Sequence, residues 1–121
     1  MGKSQRDKGK RGQREFAEVL QARGWEIMAS SEGAAMEDFL GIAPDGKVFA
    51  IEVKNHRLID LGKFLPQARQ QAARRKRVEW LLACRLAGYP MTFLVLASDG
   101  TKAVWDIEST NHGNTFISWE G

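Results

Sequence analysis

Residues 38–54 read DFLGIAPDGKVFAIEVK, and the fold turns on how this stretch is parsed. Two apolar runs flank Pro44-Asp45-Gly46. Pro44 presets φ and Gly46 supplies a positive φ, which is the chemistry of a tight turn. The spacing predicts a β-hairpin, with residues 38–43 antiparallel to 47–54. Side chains alternate along a strand, so Ile51 and Val53 leave one face while Glu52 and Lys54 leave the other. The apolar face must be buried. A turn of three or four residues places Asp38 across from Val53 or Lys54. Two carboxylates, Asp38 and Glu52, then meet the Lys54 ammonium at the open end of one hairpin.

Upstream, Phe16, Val19 and Leu20 recur at helical spacing and Gly24 follows as a stop, which predicts a helix over 12–23. Trp25, Ile27 and Ala29 alternate with Glu26 and Met28, as in a short strand. Residues 30–36 are small and polar enough for a loop. Residues 1–11 show no apolar periodicity and read as a flexible basic arm. Residues 12–121 then form one domain. Downstream, residues 63–77 favour a helix with Pro66 in its first turn. Val78–Leu86, Met91–Ala97 and Ala103–Ile107 are strand-like, and Thr115–Trp119 is a candidate last strand. The order of helix, three strands, helix and further strands predicts an α/β or α+β sheet with helices packed on it.

The 121 residues fit a single domain. A hydrophobic share of 43% against 27% charged argues against disorder. The single cysteine excludes an intramolecular disulfide and argues against a Cys-based zinc site. No apolar run approaches the roughly 20 residues that span a bilayer, and no apolar stretch follows the basic N-terminus as in a secretory signal. These features predict a soluble cytoplasmic protein with no membrane partner.

The net charge of +3 hides a strong segregation. Residues 1–14 carry six Lys and Arg against Asp7 alone, and residues 57–77 carry seven against Asp60 alone. Residues 15–56 are acidic. Basic segments flanking an acidic middle suit a polyanion partner; a solvated helix face and a tail explain the charge equally well.

Paired carboxylates repel, and a hard divalent cation relieves the repulsion. Magnesium takes one or two carboxylates, and the carbonyl of Val53 offers a further oxygen. Such an ion polarises a phosphate and acidifies its water, while Lys54 can stabilise developing charge. The bland reading is a surface ion pair worth about 0–1 kcal/mol. The Pro-Asp-Gly turn and the apolar opposite face favour the functional one.

Asp38 with Ile51-Glu52-Val53-Lys54 resembles the catalytic core of the PD-(D/E)XK nuclease superfamily, and the archaeal and phage-type Holliday junction resolvases in particular. Lys8-Gly-Lys-Arg-Gly-Gln-Arg-Glu15 resembles the basic lead-in of that group. Arg23-Gly24-Trp25 resembles its helix exit, and Phe64-Leu-Pro-Gln67-Ala its helix after the motif. The similarity spans residues 6–97. Glu37 stands where the family has Pro, and the family's Ser before the Asp falls at Ser30 or Ser31. The resemblance implies an α/β, restriction-endonuclease-like core. Its central mixed sheet is flanked by helices in αβββαβ order, here with extra C-terminal strands. It implies Mg²⁺, replaceable by Mn²⁺, on Asp38, Glu52 and Val53, with Glu15 completing the site. Lys54 and Gln67 would assist catalysis. DNA contacts would come from Lys8, Lys10, Arg11, Arg14, Ser30, Ser31, Arg57, Lys63 and Arg74. A homodimer acting on four-way DNA junctions by paired cuts is implied, with no small-molecule cofactor. It would be associated with nucleoid or viral DNA.

Taken without the family, Glu15 borders the buried helix face and equally suits the positive helix N-terminus. Gln67 shares a face with Gln71 and Arg74 and equally reads as plain helix surface. His56 reads as a phosphate contact or a surface residue. Cys84 reads as a small buried residue, and Trp80, Leu82 and Phe93 as core or dimer interface. Two other functions remain open: a generic repair or restriction endonuclease, and a non-catalytic DNA-binding module on the same scaffold.

Overall fold

A computed structural model describes residues 3–29, 39–74, 79–107 and 115–116. The hairpin forms around its turn. The Gly46 amide donates to the Ala43 carbonyl at 2.8 Å, and the Ala43 amide donates to the Lys47 carbonyl at 2.8 Å. Gly46 has φ of 91°, which closes a three-residue loop without strain. Strand β2 (Phe39–Ile42) therefore pairs antiparallel with β3 (Val48–Lys54) in the register Phe39↔Ile51 to Ile42↔Val48. This corrects the expected register. Asp38 across from Val53 or Lys54 would set Phe39 opposite Glu52 or Val53, whereas the three-residue loop Pro44-Asp45-Gly46 sets it opposite Ile51. Asp38 itself lies outside the described residues.

The first helix, α1 (Lys3–Ala22), begins at Lys3 rather than at Gly12. Residues 3–11 thus continue the helix instead of leaving it as an irregular arm. Lys, Arg and Gln are good helix formers, and this stretch is tied down. The Asn55 side-chain amide donates to the Lys8 carbonyl at 2.9 Å, and Gly12 is buried against Asn55. The helix ends as Gly24 predicts. Gly24 has φ of 88°, its amide bonds to Gln21, and the Trp25 amide reaches back to Leu20 at 3.0 Å. That double bond is a Schellman cap. Strand β1 (Glu26–Ala29) follows and pairs antiparallel with β2.

After β3, helix α2 (Leu61–Arg74) starts two residues before the predicted 63. Asp60 caps it, its side chain accepting from the Lys63 amide at 3.2 Å. Pro66 consequently sits in the second turn, not the first. The carbonyl left without a helical donor is that of exposed Gly62, where water can serve it. The helix carries the chain across to β4 (Glu79–Arg85), which lies parallel to β3. Strands β5 (Phe93–Ala97), β6 (Lys102–Trp105) and β7 (Thr115–Phe116) add on antiparallel. The seven strands lie in sequence order in one mixed sheet. The αβββαβ core with extra strands is the expected architecture. Most of residues 108–121, including the rest of the predicted last strand, lies outside the described residues.

The sheet separates two cores. On one face Phe16, Val19 and Leu20 of α1 meet Phe49, Ile51, Val53, Phe93 and Trp105. Phe16 packs with its ring 4.9 Å from that of Phe93. On the other face Phe64 and Ala68 of α2 meet Leu82, Cys84 and Leu94, and Ala72 meets Leu40 and Ala50. Among the described residues no helix is long and apolar enough to cross a membrane.

Candidate active site

Glu52 and Lys54 occupy the C-terminal end of β3 on the α2 face, in register with Leu82 and Cys84 of β4. Alternation puts them there, because Ile51 and Val53 are committed to the α1 core. Glu52 is only 8% exposed. The Lys54 ammonium lies 3.6 Å from its carboxylate and 5.2 Å from the centroid of the Phe64 ring. The separation exceeds that of a close charge-assisted hydrogen bond, so Lys54 stands beside the carboxylate as a neighbouring charge. Low local polarity strengthens that attraction and any later one to a phosphate. Cys84, next to Lys54 on the sheet, is buried and its thiol is pushed up to about 12 by burial, against a smaller opposing effect of Lys54. It is a packing residue, as its sequence setting suggests.

The remaining candidates divide. Glu15 lies on the α1 face, where the Arg85 Nε donates to its Oε1 at 2.8 Å. Glu52 lies on the other face. Among the described residues no group of three or more His, Cys, Asp or Glu is placed to hold a metal ion. Gln67 and Gln71 flank the buried line of Phe64, Ala68 and Ala72 on α2. Leu65 and Arg69, on the opposite flank, line a cavity with Trp80 and Leu96 of β4 and β5. The glutamines therefore lie on the β3 side of α2, the side of Glu52. The amide oxygens of both are buried, and neither has a hydrogen-bond partner among the described residues. Val53 buries its side chain in the α1 core, leaving its carbonyl as the relevant group.

The basic candidates form two sets. Lys8, Arg11 and Arg57 line one cavity beyond the end of β3, together with Asn55, His56 and Arg85. Lys10 and Arg14 are exposed on α1, and Lys63 and Arg74 are exposed on α2. Ser30 and Ser31, like Asp38, lie outside the described residues. Asn55 and Arg85 had no functional reading in the sequence. Asn55 had a signal, its position right after the motif. Arg85 had none, because its partner Glu15 is distant in sequence. His56 is held below its ordinary pKa first by burial, then by Lys54, Lys8 and Lys63. Leu82 and Phe93 are core residues, whereas Trp80 is half-buried, with the Arg69 guanidinium 5.7 Å from its ring centroid.

Comparison with known proteins supplies the context. The solved structure of Archaeoglobus fulgidus Hjc, a Holliday junction resolvase from an archaeal hyperthermophile, superposes with a TM-score of 0.56 at 20% identity. The match covers 92% of this chain and 93% of that one, and it supports the fold. No curated protein matches the sequence. A family model described as archaeal Holliday junction resolvase (Hjc) matches residues 4–116, nearly the whole chain. Motif, topology and match agree: the chain belongs to the archaeal Holliday junction resolvase family.

Proposed function

We propose that this protein is a metal-dependent endonuclease that hydrolyses phosphodiester bonds at four-way DNA junctions, as a homodimer with one site per chain. The observation that carries the reading is the Glu52–Lys54 pair, desolvated at the end of β3 beneath α2, in a chain of the resolvase family. The donor set suits a hard divalent cation. The Glu52 carboxylate and the Val53 carbonyl would hold it, and Asp38 would be the second carboxylate. Glu15 fits less well, because its carboxylate is already engaged by Arg85. When bound, magnesium supplies Lewis-acid polarisation of the phosphate and a more acidic water.

The chain's own groups do the rest. Lys54 is held between a carboxylate and an aromatic face, so its ammonium is oriented before substrate arrives. It stabilises the added negative charge on the phosphate at attack. Gln67 offers an amide oxygen that can accept a hydrogen bond from the attacking water and so orient it. Residues on α2 keep bulk water from the carboxylate.

The test is cleavage of a four-way junction and of a linear duplex of equal length, with Mg²⁺ and with EDTA. Junction preference and loss of cleavage in EDTA are expected. Glu52→Gln removes the charge but not the shape, and should slow cleavage at least ~10²-fold while junction binding persists. Equal cleavage by wild type and variant would overturn the site. Equal use of both substrates would replace the junction reading with a generic nuclease.

A further inference from the structure

A cavity of about 230 Å³ opens beyond the C-terminal end of β3, where three elements converge. Lys8 and Arg11 come from α1, Asn55, His56 and Arg57 from the segment after β3, and Arg85 from the end of β4. No carboxylate is among its lining residues. Glu15 offsets Arg85 from behind, and the cations gathered around this concavity still repel one another, which a bound anion would relieve.

The walls are braced from behind. Glu15 and the Leu86 carbonyl accept from the Arg85 Nε at 2.8 Å and Nη1 at 2.9 Å. A guanidinium carries five N–H donors in one plane, so these two bonds fix the plane and leave further donors for the cavity. Asn55 holds the Lys8 carbonyl at 2.9 Å, and Gly12 lets the helix close to contact with Asn55. The helix bearing Lys8 and Arg11 is thereby fastened to the strand bearing Glu52 and Lys54. His56 reports the resulting field, since Lys54, Lys8 and Lys63 all add to burial in disfavouring its protonation. The His56 ring lies 5.1 Å from the Phe64 ring, and the Lys54 ammonium overlies that same ring at 5.2 Å. His56 of the cavity and Lys54 of the catalytic pair therefore lie beside one common ring.

We propose that this cavity holds a second backbone phosphodiester of the strand being cut, close to the scissile one. Lys8, Arg11, Arg57 and Arg85 are its ligands, and Asn55 is the positioning residue that keeps α1 against it. The inference rests on the nuclease reading, since it supposes a DNA strand lying across the end of β3. It assigns the grip that sets the scissile phosphate over Glu52 and Lys54 to this one concavity, not to the basic surface at large.

The experiment follows the His56 ring by NMR, with the dinucleotide TpT and inorganic phosphate as separate probes. TpT should raise the His56 pKa by about one unit, because a bound anion favours the imidazolium, and Arg57→Gln should remove the shift. A shift with inorganic phosphate and none with TpT would make this a free-anion site and overturn the assignment. In junction cleavage, Arg57→Gln should raise KM about tenfold with a much smaller fall in kcat. Asn55→Ala should raise KM severalfold with the same bias towards KM. An unmoved His56 with an unchanged KM overturns the cavity assignment even where Glu52→Gln abolishes cleavage. Persistent cleavage by Glu52→Gln instead overturns the nuclease site, and the TpT shift survives that result.

Discussion

Glu52, Lys54 and Cys84 show how one face of a sheet assigns roles. All three lie under α2, yet only the thiol is inert. Burial raises its pKa to about 12, so almost no thiolate exists near neutrality. The native protein should resist alkylation by iodoacetamide at pH 8, and the denatured chain should react fully, as read by intact mass. Rapid modification of the folded protein would mean that Cys84 is reachable and that α2 does not seal this face. The Glu52–Lys54 pair was legible in sequence, because a Glu-x-Lys spacing on a strand can only mean a shared face. The Arg85–Glu15 pair was not. Its members are 70 residues apart, and nothing near Glu15 or Arg85 in sequence points to the other.

The elements repeat that division between local and distant causes. Turn chemistry between two apolar runs forecast the hairpin, because Pro44 and Gly46 act on their own backbone. The register was off because a three-residue loop between Ala43 and Lys47 sets Phe39 opposite Ile51, whereas Asp38 opposite Val53 or Lys54 needs a loop after Ala43 that is one or two residues longer. The N-terminal extension of α1 was hidden for another reason. It is held through the Lys8 carbonyl, with Gly12 docking on Asn55 just after it, and neither leaves an apolar stripe to read. Two glycines of that helix make opposite predictions. A Cβ on Gly12 would stand 2.9 Å from the Asn55 Cβ, so something must shift. Gly12→Ala should cost about 1–3 kcal/mol in urea unfolding, as overpacking does. A Cβ on Gly9 would meet nothing within 4 Å. Gly9→Ala should instead be neutral or stabilising by up to about 1 kcal/mol, through helix propensity. Equal effects would mean that α1 does not dock on Asn55.

At the scale of the molecule, charge and symmetry decide the behaviour. The net charge of +3 understates the grip, because the cationic residues gather beyond β3 while much of the acidic share is elsewhere. Junction binding should weaken steeply with salt. The one phosphodiester held in the cavity contributes about −1 to the slope of log K against log salt, and each further phosphate met by the exposed cations adds about as much. Fluorescence anisotropy of a labelled junction with Glu52→Gln measures it without cleavage, and a slope shallower than about −1 would discard the backbone grip. Paired cuts need paired sites, so sedimentation should find two chains per junction. One chain per junction would leave the second cut to a separate encounter.

The parallel contact between β3 and β4 has a consequence in time. Hairpin β2–β3 closes through neighbours in sequence, whereas β4 can pair with β3 only after α2 has crossed the sheet. Glu52 and Lys54 therefore line up on a paired strand early in refolding, but their shelter from water waits for a later and longer closure. A half-refolded molecule carries its acid and its base in the right order and still lacks the dry setting that makes them potent. Nuclease activity should return later than far-ultraviolet ellipticity. Simultaneous recovery of the two signals in a stopped-flow experiment would argue against this order.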